Sequence, residues 1–403
     1  MPVSSFKDNT SFADILYPPD YRPRALHVVL VLSHLLGQIS PLALTPAWLA
    51  LAAIACWPWA DLRILVAGLS VGITLLDGIG LALLPRMGRS FGPVTPPLLA
   101  LTFVRASLTF AVGLLWNTWP SLLGLTVVQL AIAAASLYAT WIEPFRIGLT
   151  HAALSSPRLD GSAPLRLLHV SDLHFERVTP RERQLLDLIE ETDPDLIVLT
   201  GDYLNLSSVH DPAAQTEVRD LLAELCERTR GPVYAITGSP PVDLKGVVPE
   251  IFDELPITWL LDNVAHLRIN GHTIRLVGLR CTGERSRDAP RLRRLLVNAP
   301  GGLFTLLVYH SPDLMPEAVE LGVDLYFCGH THGGQIRLPL LGALITSSEL
   351  GKRYEMGRYK EKGTTLYVSR GLGMEGLGAP RARFLSPPEV ILWNLSRAGE
   401  ESL

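Results

Sequence analysis

Hydrophobic positions follow two different rhythms along this chain. Up to about residue 150 they form long, nearly unbroken runs, at roughly 25–40, 47–59, 63–84, 97–119 and 122–142. The last three are each about 20 residues long, the length of a helix crossing a hydrocarbon layer of ~30 Å. From about residue 157 the runs are short and alternate with amphipathic stretches, the grammar of strands and helices in succession. The pattern predicts a multi-span α-helical membrane domain over 1–150, a polar linker over 151–164 and an α/β domain over 165–396.

The first two runs are shorter, and "SPLALTP" separates them. Thr45 followed by Pro46 predicts a helix N-cap and first-turn proline, hence two helices, either crossing fully or forming a re-entrant hairpin. The first run begins late and lacks a small-residue cleavage pattern, so a cleaved leader is not expected. Trp57, Trp59, Trp116, Trp119 and Trp141 lie near run ends and are expected to anchor at the interface. In the soluble half, "LRLLHV", "DLIVLTGD", "GPVYAITG", "FTLLVYH" and "VDLYFCGH" read as strands ending in polar residues. Residues 181–192 predict a helix with Leu185, Leu186, Leu188 and Ile189 inward, and "LRINGHTIRLVGL" a hairpin turning at Asn270-Gly271.

Charge sharpens the division. The first 150 residues hold 14 of the 74 charged side chains, which comprise 35 Lys and Arg and 39 Asp and Glu. If the first two runs make one net crossing, Lys7, Arg22, Arg24, Arg86, Arg89, Arg146 and Arg158 share one face, opposed by Arg63 alone. The positive-inside rule then predicts a multi-pass inner (cell) membrane protein with its catalytic domain facing the cytoplasm. Cys56, Cys226, Cys281 and Cys328 form no close-spaced motif, as expected of reduced thiols. The net charge is −4 without a basic tract, so nucleic acid is not an indicated partner. Asp77 and Arg105 are the acid and base well inside spans. Their similar depth on consecutive antiparallel helices predicts an ion pair, either structural or part of a transport path.

Candidate chemistry gathers at the predicted strand ends. Asp172 and His174 follow the first strand in "SDLH", Asp202 the second in "TGD", and Ser239 the third. His310 ends "LLVYH", and His330 and His332 stand in "CGHTHGGQ". Asp and His supply oxygen and nitrogen donors suited to Mn²⁺, Fe or Zn²⁺, and rigid strand ends fix such donors in space.

"SDLH", "TGD", "YHSPD" and "GHTHGGQ", in that order, resemble the calcineurin-like metallophosphoesterase superfamily. The C-terminal "LYVSRGLG…RARFLSPPEV" is similar to its membrane-anchored YkuE/YaeI-type phosphodiesterase subgroup. The resemblance implies two mixed β-sheets packed face to face, helices outside, and two divalent metal ions at the strand ends. It implies that Asp172, His174 and His332 hold one ion, that Asp202 bridges both, and that His310 and His330 hold the second. Asp202 and His330 are the residues it sets closest to the chemistry.

The family's Asn falls on Ser239 and its catalytic His on Pro240. Ser239 is a weaker donor than an amide, with Asp243 a possible substitute, and proline has no proton to give. The loss matters least for a phosphoanhydride, whose leaving group needs little protonation. Gly333 and Gly334 suggest either close approach to an oxyanion or a simple tight turn, and Gln335 either a ligand contact or a cap. Arg370, with Arg381 and Arg383 as alternatives, is the candidate for binding substrate phosphate.

The expected function is a membrane-bound, metal-dependent phosphoesterase or pyrophosphohydrolase. Its expected substrate is a phosphorylated lipid, nucleotide-lipid or other small molecule, with UDP-2,3-diacylglucosamine of lipid A synthesis one concrete case. The alternative is a catalytically impaired membrane scaffold or sensor.

Overall fold

A computed structural model of the protein describes residues 25–299 and 301–399. Lys7, Arg22 and Arg24, which enter the orientation argument, lie outside these residues. Ten α-helices and fourteen strands are formed among the described residues.

Helix α1 (Ala25–Gly37) is followed by α2 (Thr45–Cys56), α3 (Arg63–Leu83), α4 (Thr95–Leu115) and α5 (Trp119–Leu137). Among the described residues three helical stretches are long and apolar enough to cross a membrane: Pro41–Met87, Thr95–Leu115 and Trp119–Phe145. The first contains α2 and α3, which part at Ala60, where φ is 37° and ψ is −110°. Two hydrogen bonds fix the direction of α2 beside α4. Thr95 Oγ1 donates to the Ile39 carbonyl at 2.6 Å before α2 begins, and Trp59 Nε1 donates to the Thr109 carbonyl at 3.0 Å after it ends. Trp59 is therefore wholly buried between helices rather than anchored at an interface. Trp57, Trp116 and Trp119 are exposed, as anchors would be. Helix α3 returns toward the soluble domain and ends beside the end of α5, where Trp141 Nε1 donates to the Gly80 carbonyl at 3.2 Å.

The first apolar run has a different fate from the others. Over its 13 described residues α1 is about 20 Å long, less than a crossing needs. It lies against the soluble domain, where Val31 forms an apolar cluster with Leu206, Val242 and Leu377. Hydropathy alone could not separate these two fates, because the same apolar face suits lipid or protein.

The soluble domain opens with β1 (Gly148–Ser156) and β2 (Leu165–Val170). Then come α6 (Pro180–Thr192), β3 (Leu196–Leu199), α7 (Pro212–Arg228), β4 (Val233–Ala235), α8 (Val248–Phe252) and β5 (Ile257–Trp259). The hairpin β6 (Asn263–Ile269) and β7 (His272–Gly278) precedes α9 (Arg285–Leu296), β8 (Phe304–Val308), α10 (Met315–Glu320) and β9 (Leu325–Cys328). The chain finishes with β10 (Arg337–Leu338), β11 (Gly342–Ala343), β12 (Gly357–Glu361), β13 (Thr364–Val368) and β14 (Glu389–Arg397).

One sheet has the order β1-β14-β2-β3-β4-β5 and the other β12-β13-β9-β8-β7-β6. Both are mixed: in the first, β2, β3, β4 and β5 pair in parallel, as do β1 and β14, with β14 antiparallel to β2; in the second, β7, β8, β9 and β13 pair in parallel between antiparallel edge strands β6 and β12. Between the sheets Leu167, Val198, Leu276, Leu306, Phe327 and Trp393 form a fully buried core. Their outer faces are covered by α6, α7 and α8 on one side and by α9 and α10 on the other. The result is the four-layer α/β arrangement expected from the motifs. Helix α6 starts with a reciprocal cap between Thr179 and Glu182, and buries Leu185, Leu186 and Ile189, with Leu188 half-buried. Asn270 and Gly271 carry the β6–β7 turn at φ 51° and 80°.

Candidate metal centre

Parallel strands end at one edge of their sheet, so loops leaving β2, β3, β4, β8 and β9 meet there. They carry Asp172 and His174, Asp202, Ser239, His310, and His330 and His332. The donor atoms of Asp172, His174 and His332 lie within 4.8 Å of one another, as do those of Asp202, His310 and His330. Asp202 stands between the two groups. Its Oδ2 is 3.4 Å from His174 Nε2 and 3.2 Å from His310 Nε2.

Local geometry shows how much these positions are constrained. Asp172, His174, Asp202, His330 and His332 have positive φ, from 38° to 70°. L-residues rarely adopt that region, and such strain persists where surrounding structure imposes it, chiefly at functional sites. Gly329 makes room for one carboxylate, since a Cβ there would stand 1.9 Å from Asp172 Oδ2.

The donors fit divalent cations. His174 Nε2 and His332 Nε2 face each other at 3.0 Å, and His174 Nδ1 is buried without a protein partner. Outer hydrogen bonds orient two of the other rings. His310 Nδ1–H donates to the Thr200 carbonyl at 2.8 Å, which turns Nε2 toward Asp202. His330 Nε2–H donates to the Ser347 carbonyl at 3.2 Å, which turns Nδ1 inward. Burial opposes charge on His310, but Asp202 and Asp172 raise its pKa to about 10. Burial drives His332 well below the usual imidazole value, aided by repulsion from His174 and Arg383. Adjacent buried carboxylates and imidazoles of opposite tendency are the groups a bound cation would satisfy.

Ser239 belongs to this cluster. Its hydroxyl is 3.1 Å from His310 Nε2, 3.3 Å from His330 Nδ1 and 3.3 Å from Asp202 Oδ2. Asp243 does not replace the missing amide. Its Oδ2 accepts the backbone N–H of Asp202 at 2.9 Å and of Gly238 at 2.6 Å, and its Oδ1 that of Tyr203 at 3.0 Å. It braces the loops behind the donors, a role that requires the fold to be seen.

The remaining candidates resolve by their contacts. Arg370 Nη2 donates to Glu389 at 2.7 Å, so it is tied down beside the centre, with its Cγ against Gly333. Arg381 is held by Glu176 at 2.8 Å. Arg383 is completely buried and donates to the carbonyls of Gly371, Gly373 and Ser386. Gly333 and Gly334 both have positive φ and pack against Ser386 and Ala343, which makes them a tight turn. Gln335 joins two loops, donating to the Pro380 carbonyl at 3.0 Å and accepting the Glu375 N–H at 2.8 Å.

Sequence patterns missed the contact between this centre and the helical half. Ser386 Oγ donates to the His332 carbonyl at 2.7 Å, and Ser386 N–H donates to Glu143 Oε1 at 2.6 Å. Glu143 follows directly on the last apolar stretch. Nearby, Arg383 N–H donates to the Ala139 carbonyl at 2.8 Å.

Comparison with known proteins agrees with this geometry. Residues 165–334 match the family of calcineurin-like phosphoesterases. An uncharacterized metallophosphoesterase of Bacillus subtilis, YkuE, is 29% identical over 280 residues, covering 66% of this chain and 93% of its own. The Escherichia coli phosphodiesterase YaeI is 29% identical, covering 67% of this chain and 96% of its own. The Chlamydia trachomatis UDP-2,3-diacylglucosamine pyrophosphatase LpxG is 25% identical, covering 66% and 95% respectively.

Proposed function

The soluble half of this chain is a calcineurin-like metallophosphoesterase, and from that premise we propose that it hydrolyses a phosphoanhydride in the headgroup of a membrane lipid. The observation carrying this reading is the two-bond link from His332 through Ser386 to Glu143, at 2.7 and 2.6 Å, which ties the donor cluster to the end of the last apolar stretch. A lipid headgroup lies at that level, whereas a soluble substrate needs no such placement.

In this proposal Asp172, His174 and His332 hold one divalent ion, and Asp202, His310, His330 and Ser239 the other. When bound, such a pair supplies an activated water and positive charge for the attacking and leaving oxygens. The chain's contribution is alignment. Asp202 spans both donor groups, Thr200 and Ser347 fix two ring orientations, and Asp243 holds the Asp202 and Ser239 loops at a constant separation. Pro240 offers no proton to a departing alkoxide. General-acid assistance is commonly worth about 10²–10⁴ in rate, so its absence favours a leaving group that is already a good one. The LpxG relative is named for such a substrate, and UDP-2,3-diacylglucosamine is the first compound to try.

The test is turnover by the purified full-length protein with Mn²⁺ added. UDP-2,3-diacylglucosamine is compared with a soluble alkyl phosphodiester and a soluble nucleotide pyrophosphate. Preference for the lipid pyrophosphate over both supports the reading. Equal or better cleavage of the alkyl diester rejects the phosphoanhydride assignment, and equal cleavage of the soluble pyrophosphate rejects the lipid one.

A further inference from the structure

Strands β10 and β11 form a two-stranded hairpin, pairing Arg337 with Ala343 and Leu338 with Gly342. Its tip carries the most exposed large apolar residue among those described. Leu340 is 107% exposed and Leu341 66%, with Leu344 at 51% and Ile345 at 56% beside them. Leu340 also has φ 69°, a conformation favouring glycine or asparagine. Neither packing nor local backbone preference explains leucine at this point. A cluster of exposed apolar residues on a strained tip marks a contact surface.

The hairpin's placement identifies the partner. At its root Ile336 bridges Phe384, the Arg337 N–H donates to the Phe384 carbonyl at 2.9 Å, and the Phe384 ring meets Tyr138 edge-on at 6.4 Å. Tyr138 directly follows α5. The adjoining Leu385 is 45% exposed and its N–H donates to Glu143. Apolar surface thus continues from the end of α5 through Leu385 to the tip.

The finger is also rigidly held. Arg337 pairs with Glu355 at 2.9 Å and donates to the Gly333 carbonyl at 2.7 Å, while Lys352 donates to the Leu341 carbonyl at 3.3 Å. On its far side the same segment leads to Ser347, whose carbonyl holds His330. Exposed Lys352 at the tip suits an anionic interface.

We propose that this hairpin is a second membrane contact: Leu340 and Leu341 enter the acyl region of the leaflet nearest the soluble domain. The contact adds to the helices' hold on the depth of the metal centre. It concerns the bilayer as partner and stands whichever substrate is cleaved.

The experiment places a fluorophore at the tip. Leu340→Trp, in the full-length protein reconstituted into phospholipid nanodiscs, is read as the difference from wild-type emission. Arg268→Trp, on β6 at the opposite end of the strands, is the control. Expected is blue-shifted emission from residue 340, quenched by acyl-brominated phospholipid, with neither effect at residue 268. Emission characteristic of water, or a shielded fluorophore that brominated lipid fails to quench, overturns the proposal; the latter indicates a protein partner. Leu341→Trp gives the same readout should the first variant fold poorly.

Discussion

Ser239 holds Asp202 by both ends of its carboxylate: the serine N–H donates to Oδ1 at 2.5 Å, and its hydroxyl lies 3.3 Å from Oδ2. The residue in the family's Asn position thus still orients the carboxylate that spans both donor groups. Ser239→Ala removes the hydroxyl but keeps the backbone bond. It is expected to deplete the ion of the Asp202, His310 and His330 group while sparing the other. Metal counting after dialysis should fall from two ions toward one, and Ser239→Asn should slow the loss of the second. Undiminished occupancy in Ser239→Ala would remove Ser239 from the ligand set.

Asp243 accepts three backbone N–H groups from the Asp202 and Ser239 loops. Burial raises its pKa, as does the nearby Asp202. Asp243→Ala leaves these donors buried and unpaired, at a cost of roughly 1–3 kcal/mol each where water cannot replace the oxygen. The expected result is a large loss of thermal stability together with weakened metal binding. Asp243→Asn should recover part of both, since its amide oxygen still accepts. Wild-type stability in Asp243→Ala would show that the brace is dispensable.

The gathering of Asp172, His174, Asp202, His310, His330 and His332 is legible in sequence because each follows a short apolar run that reads as a buried strand. Asp243 is a conditional substitute donor by sequence and a loop brace in the structure, since its distance from Ser239 along the chain does not say whether the carboxylate points forward to a metal or back to the loop. The fate of α1 was hidden for a different reason: Val31 is apolar whether it meets lipid or Val242. Trp59 sits at a run end, yet the kink at Ala60 turns it inward.

His169 provides a measurable pH dependence. Its ring is fully buried, stacks on Phe327 at 4.6 Å, and burial lowers its pKa from 6.5 to about 3. The folded value lies below the unfolded one, so folding favours the neutral ring. Its contribution is complete above about pH 6.5 and is lost as pH falls toward 3, by roughly 4–5 kcal/mol in full. His169→Phe keeps the stacking and removes the titration. Its stability should fall less steeply than wild type between pH 6.5 and 4. Parallel thermal-unfolding curves for the two proteins across that range would contradict the assignment.

The last prediction concerns the helical half. Arg105 Nε lies 2.9 Å from Asp77 Oδ2, and its Nη1 donates at 2.8 Å to both the Gln129 carbonyl and the Gln129 side-chain oxygen. All three residues are buried, so helices α3, α4 and α5 meet at one polar knot. Removing one charge strands the other, which commonly costs about 3–5 kcal/mol, whereas removing both leaves no unpaired ion. Asp77→Asn and Arg105→Leu should each lower thermal stability in detergent more than the double variant does. Gln129→Leu should weaken the single Asp77→Asn variant further, because the guanidinium then loses its Gln129 side-chain acceptor and keeps only a neutral amide oxygen at position 77. A transport role predicts something else: the double variant would restore stability and yet lose function. Hydrolysis by the soluble domain should survive in the double variant if the knot serves packing alone, and strictly additive losses of stability would show that Asp77 and Arg105 act independently.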